Sequence, residues 1–493
     1  MESTTVKLCQ HVETSENEWT CSVCKHVAKT TAKPGRRECG TAKPRAQKPK
    51  PTGPRAREDE LAKTIPPCAH RGTIVEHNKA CQVCGQKNEQ FDVYACGIHG
   101  ECSLSRRAKA GEKLQACTSC PDFVPLQNVI QTAKSVGVIN VCLIAPALWN
   151  LGGIERWLVA MCRYLPLVSG GKVRVSSVVI QFAHMVESEM LAELSQVTTV
   201  YQWGDSRQQH AARSAIQQSD VAVISGMGDV TWCLTGFNKP AVWVSHSCCE
   251  WSERFCRTAQ PTGLVTHWAS VGHLSKAVFP NDLIPVVTAI ENGSEIDRCT
   301  PIRGRQWQRQ QWGITDDQII VGFVGRLSDD KRPQALAEAI AHLPTHYVGI
   351  AVGGGQHQAA VIDHARQVAG DRVKFVGCLN LLGDAMAAMD VGLIASPAEG
   401  FCLSRVEMQL AALPVVSTPT GEIPRLEYEH GPLTWSVPIG ATGEQIANVI
   451  QRATRENFRT SEIVRRAKSL AWKRYTAAAM AGRWVDYLQS ILD

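Results

Sequence analysis

The chain has 493 residues, 44% of them hydrophobic and 20% charged, with 20 cysteines and a formal net charge of +6. That composition excludes a collagen, a coiled coil or a fully disordered chain, and the length calls for two or three folded domains. Residues 1–120 carry 20 Lys and Arg against 13 Asp and Glu, and 11 of the 20 cysteines, so the basic excess and the cysteine excess both belong to the front end.

The opening MESTTVKLCQ has no positive-then-apolar layout of a secretory signal, and no stretch reaches the roughly 18–20 apolar residues of a membrane span. A soluble cytoplasmic protein is expected. In that reducing setting, closely spaced cysteines hold a metal more often than a disulfide. The front end offers such spacing twice. Cys9, His11, Cys21 and Cys24 form a C-x-H…C-x2-C pattern in residues 1–28, and Cys68, His70, Cys81 and Cys84 repeat it. The first cysteines of the two halves lie 12 and 13 residues apart in the two copies. Cys96, His99, Cys102, Cys117 and Cys120 supply a further set, one member of which would be a spectator. Four Cys/His ligands suit a closed, tetrahedral structural zinc site. An iron–sulfur cluster is the alternative, disfavoured by the histidines. The expected modules are therefore a partial Cys/His module over 1–28 and a zinc-binding module over 66–125. With so few large apolar residues, metal would be what folds them.

Between the two, residues 29–57 hold ten Lys/Arg against the single Glu38, with five prolines. This reads as a self-repelling basic linker over 29–65. Its charge also permits a nucleic-acid or protein contact, although no aromatic residues are interleaved for base stacking.

From Val138 onward, short β-branched runs alternate with amphipathic segments. The series VINVCLIAP, VRVSSVVIQF, VAVISGM, PAVWVSH, LVTHWASV and IPVVTAI gives one set of strands. IIVGFVGRL, HYVGIAVGGG, VKFVG, VGLIAS and PVVST give a second, with helices near 333–343, 357–369, 381–389 and 404–412. Apolar strands spaced by helices imply parallel sheets covered on both faces. The expected fold class is α/β, with two Rossmann-like doubly wound domains over 128–300 and 301–465 facing across a cleft, and a C-terminal helix over 466–493. The break between the domains falls in the polar stretch ENGSEIDRCTPIRGRQWQRQQWGI. In such folds ligands bind at the carboxyl ends of the strands.

The loops at those ends carry the candidates. Gly152 and Gly153, followed by Glu155, open a helix where backbone N–H groups can approach a ligand. His246 closes the strand PAVWVSH. Arg326 and Lys331, five residues apart after the strand IIVGFV, place two cations at a helix start, an arrangement that invites an anion. Glu399 lies in the loop after VGLIAS, and Glu407 eight residues later is expected in the first turn of a helix starting near Ser404. Two carboxylates flanking an anion-binding helix start can hold neighbouring hydroxyls of a sugar and a ribose.

The segment Glu399–Gly400–Phe401–Cys402–Leu403, with Val406–Glu407–Met408 and Leu413–Pro414–Val415–Val416, resembles the E-x7-E signature of retaining glycosyltransferases of the GT-B fold, particularly glycosyltransferase family 4 (glycosyl transferases group 1). Cys402 stands where that family commonly has glycine, and Thr420–Gly421–Glu422 replaces a Gly-Gly step. VGFVGRLSDDKRP resembles its VGRLxxxKG block, VKFVGCLN its nucleobase-cupping turn, and APALWNLGGIERWL its glycine loop. The resemblance implies a retaining, hexosyltransferase-like enzyme that takes a nucleotide-sugar donor (UDP-, GDP- or ADP-sugar) and an unidentified acceptor, with no catalytic metal. It implies catalytic roles for His246, Arg326, Lys331 and Glu399, and donor contacts at Gly152, Gly153, Gly325, Cys378, Leu379, Gly400, Phe401, Cys402, Leu403 and Glu407. Two other readings remain: a nucleotide-sugar epimerase of the same fold, and a catalytically silent protein that binds nucleic acid or protein through its front end.

Overall fold

A computed structural model describes residues 137–149, 152–455 and 461–493, together with the backbone of six short strands nearer the N-terminus. His11–Ser15, Glu18–Cys21 and Val27–Lys29 form one antiparallel sheet within a unit spanning residues 1–65. Arg71–His77, Phe91–Cys96 and Arg107–Lys109 form another. In each copy of the cysteine pattern the first strand begins at or just after the histidine of the C-x-H step. The side chains of the expected metal ligands, from Cys9 to Cys120, lie outside the described residues, as does most of the linker.

The body of the protein is built on two all-parallel sheets. The first contains β1 (Ile139–Ala145), β2 (Val173–Ile180), β3 (Thr199–Gln202), β4 (Val221–Ser225), β5 (Ala241–Ser245), β6 (His267–Ser270) and β7 (Thr288–Ala289), in the order 7-6-5-4-1-2-3. Parallel register aligns Val179, Ile144, Ile224, Trp243 and Trp268 across five strands, and all five are buried on one face. Leu143, Val178, Val223 and Val242 do the same on the other face. Burial on both faces is why these strands read as continuous apolar runs.

The second sheet contains β8 (Ile319–Val324), β9 (Tyr347–Val352), β10 (Val373–Phe375), β11 (Val391–Ile394), β12 (Val415–Ser417) and β13 (Trp435–Ser436), in the order 10-9-8-11-12-13. Gly322 and Gly392 sit opposite each other on β8 and β11. A Cβ at Gly322 would collide with Met389 and one at Gly392 with Met408, so the glycines make room for the thioethers of the covering segments.

Four local expectations change. IPVVTAI is a strand only at Thr288–Ala289, because Pro285 lacks the N–H a ladder needs and Ile284–Val286 turns as a 3-10 helix instead. The polar break contains a helix, Arg305–Trp312, held not by apolar burial but by Arg305 and Arg309 pairing with the buried Asp390 at 2.8 and 3.3 Å. The single C-terminal helix is two, Glu462–Arg474 and Ala477–Ser490, interrupted at Tyr475–Thr476. Thr476 caps the second through its hydroxyl, which accepts from the Ala479 N–H. Finally, Glu407 lies in the second turn of its helix, which begins at Leu403.

The last helix, Ala477–Ser490, packs on the first domain, while the one before it, Glu462–Arg474, packs mainly on the second-domain helix Leu403–Leu410. Trp484 meets Trp157 edge-to-face at 5.7 Å, and the core of the first domain runs without a break into Ala467, Tyr475, Met480 and Leu488. Ser294 and Tyr475–Ala477 exchange backbone hydrogen bonds of 2.9 and 2.8 Å, and Gly293 lies so close to the Thr476 carbonyl that no Cβ fits. Among the described residues no helix is long and apolar enough to cross a membrane.

Candidate active site

The cleft forms where strand ends and helix starts from both domains converge. Helix α1 (Gly153–Val168) follows β1 and helix α2 (Leu403–Leu410) follows β11, each beginning at the cleft. The starts adjoin: Leu403 Cδ1 lies 3.7 Å from where a Cβ on Gly153 would be. Unpaired N–H groups from two helices therefore face one space, the electrostatic arrangement that favours phosphate. That space, about 530 Å³ and open to solvent, is lined by Gly152, Gly153, Gly325, Arg326, Cys378, Leu379, Leu403 and Glu407, all named from the sequence. Arg156, Arg298, Gly353, Gly354, Leu382 and Ser404 line it as well and were not.

Glu155 stabilises the glycine loop from beneath. Its carboxylate accepts from the Trp149 N–H at 3.0 Å and folds over Gly152, where any Cβ would collide with it. Burial pushes its pKa up, opposed by that hydrogen bond.

Glu407 is buried and held by a clamp from the interdomain segment. Its Oε1 accepts from Arg298 Nε at 2.9 Å and from Ser294 Oγ at 3.0 Å, and Arg298 also donates to the Asn380 carbonyl. Burial works against the Arg298 charge, but Glu407 outweighs it and the pKa stays above the ordinary arginine value.

The other expected groups gather beside this space. Lys331 Nζ donates to Glu399 Oε2 at 2.7 Å. Burial opposes the lysine charge and the carboxylate restores it, raising the pKa. Arg326, half-exposed, pairs with Asp330 at 3.2 Å. Gly400 rests on the backbone of His246 and Ser247, closer than a Cβ allows, and Cys248 Sγ lies 3.2 Å from the Glu399 carbonyl. The loop carrying Glu399 thus touches the loop carrying His246. The His246 ring packs edge-to-face on Trp157 at 4.9 Å, burial lowers its pKa to about 3, and its buried Nε2 has no hydrogen-bond partner among the described residues.

Two residues named from the sequence point elsewhere. Phe401 is in the core against Tyr475, and the Cys402 side chain is buried among Met408 and Leu413. Cys402 has φ 71°, the left-handed region that favours glycine, at the residue preceding α2. The chain needs that conformation to turn from the Glu399 loop into the helix.

A separate acidic cluster lies at the domain seam. His273, Glu291 and Glu422 bring three ligand atoms within 4.8 Å of one another. Glu291 is nevertheless taken by Arg425, by Arg474 Nε at 2.6 Å and by the Tyr475 hydroxyl, while Glu422 accepts from Arg425 Nε at 2.8 Å and from the His273 N–H. Guanidinium groups occupy the positions a cation would take, so the cluster is an interdomain tie.

Comparison with known proteins bears on this geometry. Residues 318–455 match the family described as Glycosyl transferases group 1. Among curated relatives, D-inositol 3-phosphate glycosyltransferase of Corynebacterium jeikeium is 28% identical over 178 residues, covering 31% of this chain and 42% of that protein. The enzyme of the same name from Mycolicibacterium smegmatis is 30% identical over 204 residues, covering 40% and 46%. The chain thus spans less than half the length of these relatives. Among solved structures, Anabaena HepE in complex with UDP-glucose aligns over 71% of this chain and 99% of its own, with a TM-score of 0.59 and 20% identity. The likeness shows a shared fold, the two-domain α/β architecture of GT-B structures.

Proposed function

We propose that this protein is a glycosyltransferase that moves a sugar from a nucleotide-sugar donor to an acceptor hydroxyl with retention at the anomeric carbon. The observation that carries the reading is the meeting of two helix N-termini, Arg326 and Glu407 in one cleft, with the Lys331–Glu399 pair beside it. The group 1 match over the second domain, which holds Arg326, Lys331, Glu399 and Glu407, supports it.

In this reading the diphosphate lies against the starts of α1 and α2, and Glu407 takes the ribose hydroxyls through the oxygen that Arg298 leaves free. Glu399 takes hydroxyls of the transferred sugar, and neutral His246 supplies Nε2 to it. As the bond from the anomeric carbon to the phosphate oxygen breaks, negative charge grows on the leaving diphosphate, and Arg326 and Lys331 stabilise it. The acceptor oxygen attacks from the same face and its proton passes to the leaving phosphate oxygen, so no side-chain base is required.

The test uses UDP-, GDP- and ADP-sugars labelled in the sugar, with thermal shift to select the donor. Label recovered on an acceptor with the anomeric configuration kept supports the proposal. Label that stays on the nucleotide as an epimerised sugar would make the protein an epimerase. We propose further that the front-end Cys/His sets hold structural zinc. Elemental analysis of the full chain is expected to find about two to three zinc ions per chain, and none would overturn that assignment.

A further inference from the structure

Helix α2 carries a cation that no carboxylate answers. Arg405, two residues before Glu407, is 1% exposed. Among the described residues its guanidinium meets only neutral oxygens: it donates to the Phe401 carbonyl at 3.1 Å and to Gln409 Oε1 at 3.5 Å, one helical turn on. Two acidic groups lie within its electrostatic reach, and neither supplies a negative charge. Burial pushes the Cys402 thiol and the Tyr475 hydroxyl up to about 12, so both keep their protons near neutral pH. Glu291, which accepts from the Tyr475 hydroxyl, is already shared by Arg425 and Arg474. A guanidinium does not lose its proton at working pH, and a buried charge left without a counter-ion is strongly unfavourable.

The spare donors are as well hidden as the charge. Arg405 Nε and Gln409 Nε2 are both buried and have no hydrogen-bond partner among the described residues, and Gln409 is 3% exposed. They belong to side chains that already touch, four residues apart on one face of α2, so the spare N–H groups form one cluster. The same shortage of negative charge recurs across the seam. Arg483 donates to the Glu291 main-chain carbonyl at 2.7 Å rather than to a carboxylate, and its Nε is buried with no partner among the described residues.

A water molecule could satisfy the N–H groups, but it would leave the charge unanswered. An anion does both. With both side chains almost sealed from solvent, that anion must be compact and singly charged. We propose that α2 holds a small monovalent anion of the chloride class, bound by Arg405 Nε and Gln409 Nε2 as an internal counter-ion. Through the bond from Arg405 to the Phe401 carbonyl, the anion steadies the loop that carries Glu399. The inference does not need the glycosyltransferase reading, because stability and anion binding report on it directly.

The experiment dialyses the full chain into gluconate, titrates chloride at constant ionic strength while following the thermal midpoint, and locates bromide in soaked crystals by its anomalous scattering. The expected result is a saturable rise of about 2 °C or more, with a bromide peak beside Arg405 Nε. Gln409→Glu supplies a carboxylate in place of the anion, and should match the chloride-saturated parent in gluconate alone while losing the chloride response. Arg405→Met removes the charge and should lose the response too, without loss of stability in gluconate. Should Gln409→Glu fail to fold, Arg405→Met and the bromide map still decide. No response to chloride beyond the gluconate control, with no bromide at Arg405, overturns the site and leaves water as the acceptor. A response that persists unchanged in Arg405→Met also overturns it, since the anion then binds elsewhere on this basic chain.

Discussion

Lys331 and Glu399 form a 2.7 Å ion pair that joins the block following β8 to the loop following β11, with the carboxylate only 8% exposed. A pair this well covered is costly to break on one side, because the remaining charge stays in a poorly solvated place. Lys331→Ala is expected to lower transfer at least tenfold, about 1.4 kcal/mol of barrier, and to destabilise the chain by about 2 kcal/mol. Adding Glu399→Gln should restore most of the stability and none of the activity. Urea midpoints and initial rates on the cycle decide it, and a double variant as unstable as the single one would count against the pairing.

Arg298 and Glu407 make a second tie, between the interdomain segment and α2. Glu407 is 3% exposed and receives its charged hydrogen bond only from Arg298 among the described residues. Arg298→Ala is therefore expected to resemble Glu407→Ala, with donor KM raised about tenfold or more and acceptor KM unchanged. Arg298→Lys should recover little, since a lysine cannot reach both the carboxylate and the Asn380 carbonyl. Steady-state kinetics with the donor varied checks this; equal KM values in all three proteins would refute it.

What could be read in advance follows from the physics of each element. Strands buried on both faces announce themselves as β-branched runs, so β1, β4, β5, β8 and β11 stand out in the sequence. Residues after glycine at strand ends, such as Gly152, Gly325 and Gly400, carry a local backbone signature, whereas the eight-residue spacing of Glu399 and Glu407 is common and the pair stands out only through the resemblance of the motif around it. Arg298 has no such signature. It sits in a polar stretch that reads as a connector, and its burial against Glu407 arises from a contact 109 residues away. The helix Arg305–Trp312 was hidden for the same reason, because the buried Asp390 rather than an apolar stripe holds it. Gly353 and Gly354 were visible as a glycine run after β9. Their role follows only from the approach of Gly353 to the Gly325 carbonyl, which leaves no room for a Cβ.

Glu291 anchors the seam. It is 2% exposed and joins Arg425 of the second domain to Arg474 of the C-terminal helices, while its carbonyl accepts from Arg483 at 2.7 Å. Glu291→Ala is expected to cost about 3 kcal/mol or more and to expose the 462–490 segment to limited proteolysis before the rest of the chain. The cluster should bind no divalent cation, since guanidinium groups already neutralise it. Dialysis against a chelator leaving the thermal midpoint of residues 137–493 unchanged is the supporting result, and a shift restored by added Mg²⁺ or Mn²⁺ would overturn it.

Cys402 bears a backbone cost that its side chain does not need. At φ 71° a non-glycine residue is strained by about 1–2 kcal/mol. Cys402→Gly should therefore be more stable than Cys402→Ala by about 1 kcal/mol, the reverse of the usual order at a helix start with ordinary backbone. Denaturant midpoints of the two variants settle the sign.

His246 connects stability to pH. Burial holds its folded pKa at about 3, below the unfolded value of about 6.5. Between those values the unfolded chain takes up a proton that the folded chain refuses, so folding stability is complete above pH 6.5 and falls as the pH drops. The slope is at most about 1.4 kcal/mol per pH unit from this one group. His246→Asn removes the titration and should flatten the fall in urea midpoint between pH 7 and pH 5 relative to the parent chain. The imidazole is also neutral throughout the range where activity would be assayed, so no inflection in rate between pH 6 and 8 should disappear in His246→Asn, even though the rate itself drops. Parallel slopes in parent and variant would show that the ring binds protons equally in the folded and unfolded chains, against the lowering by burial.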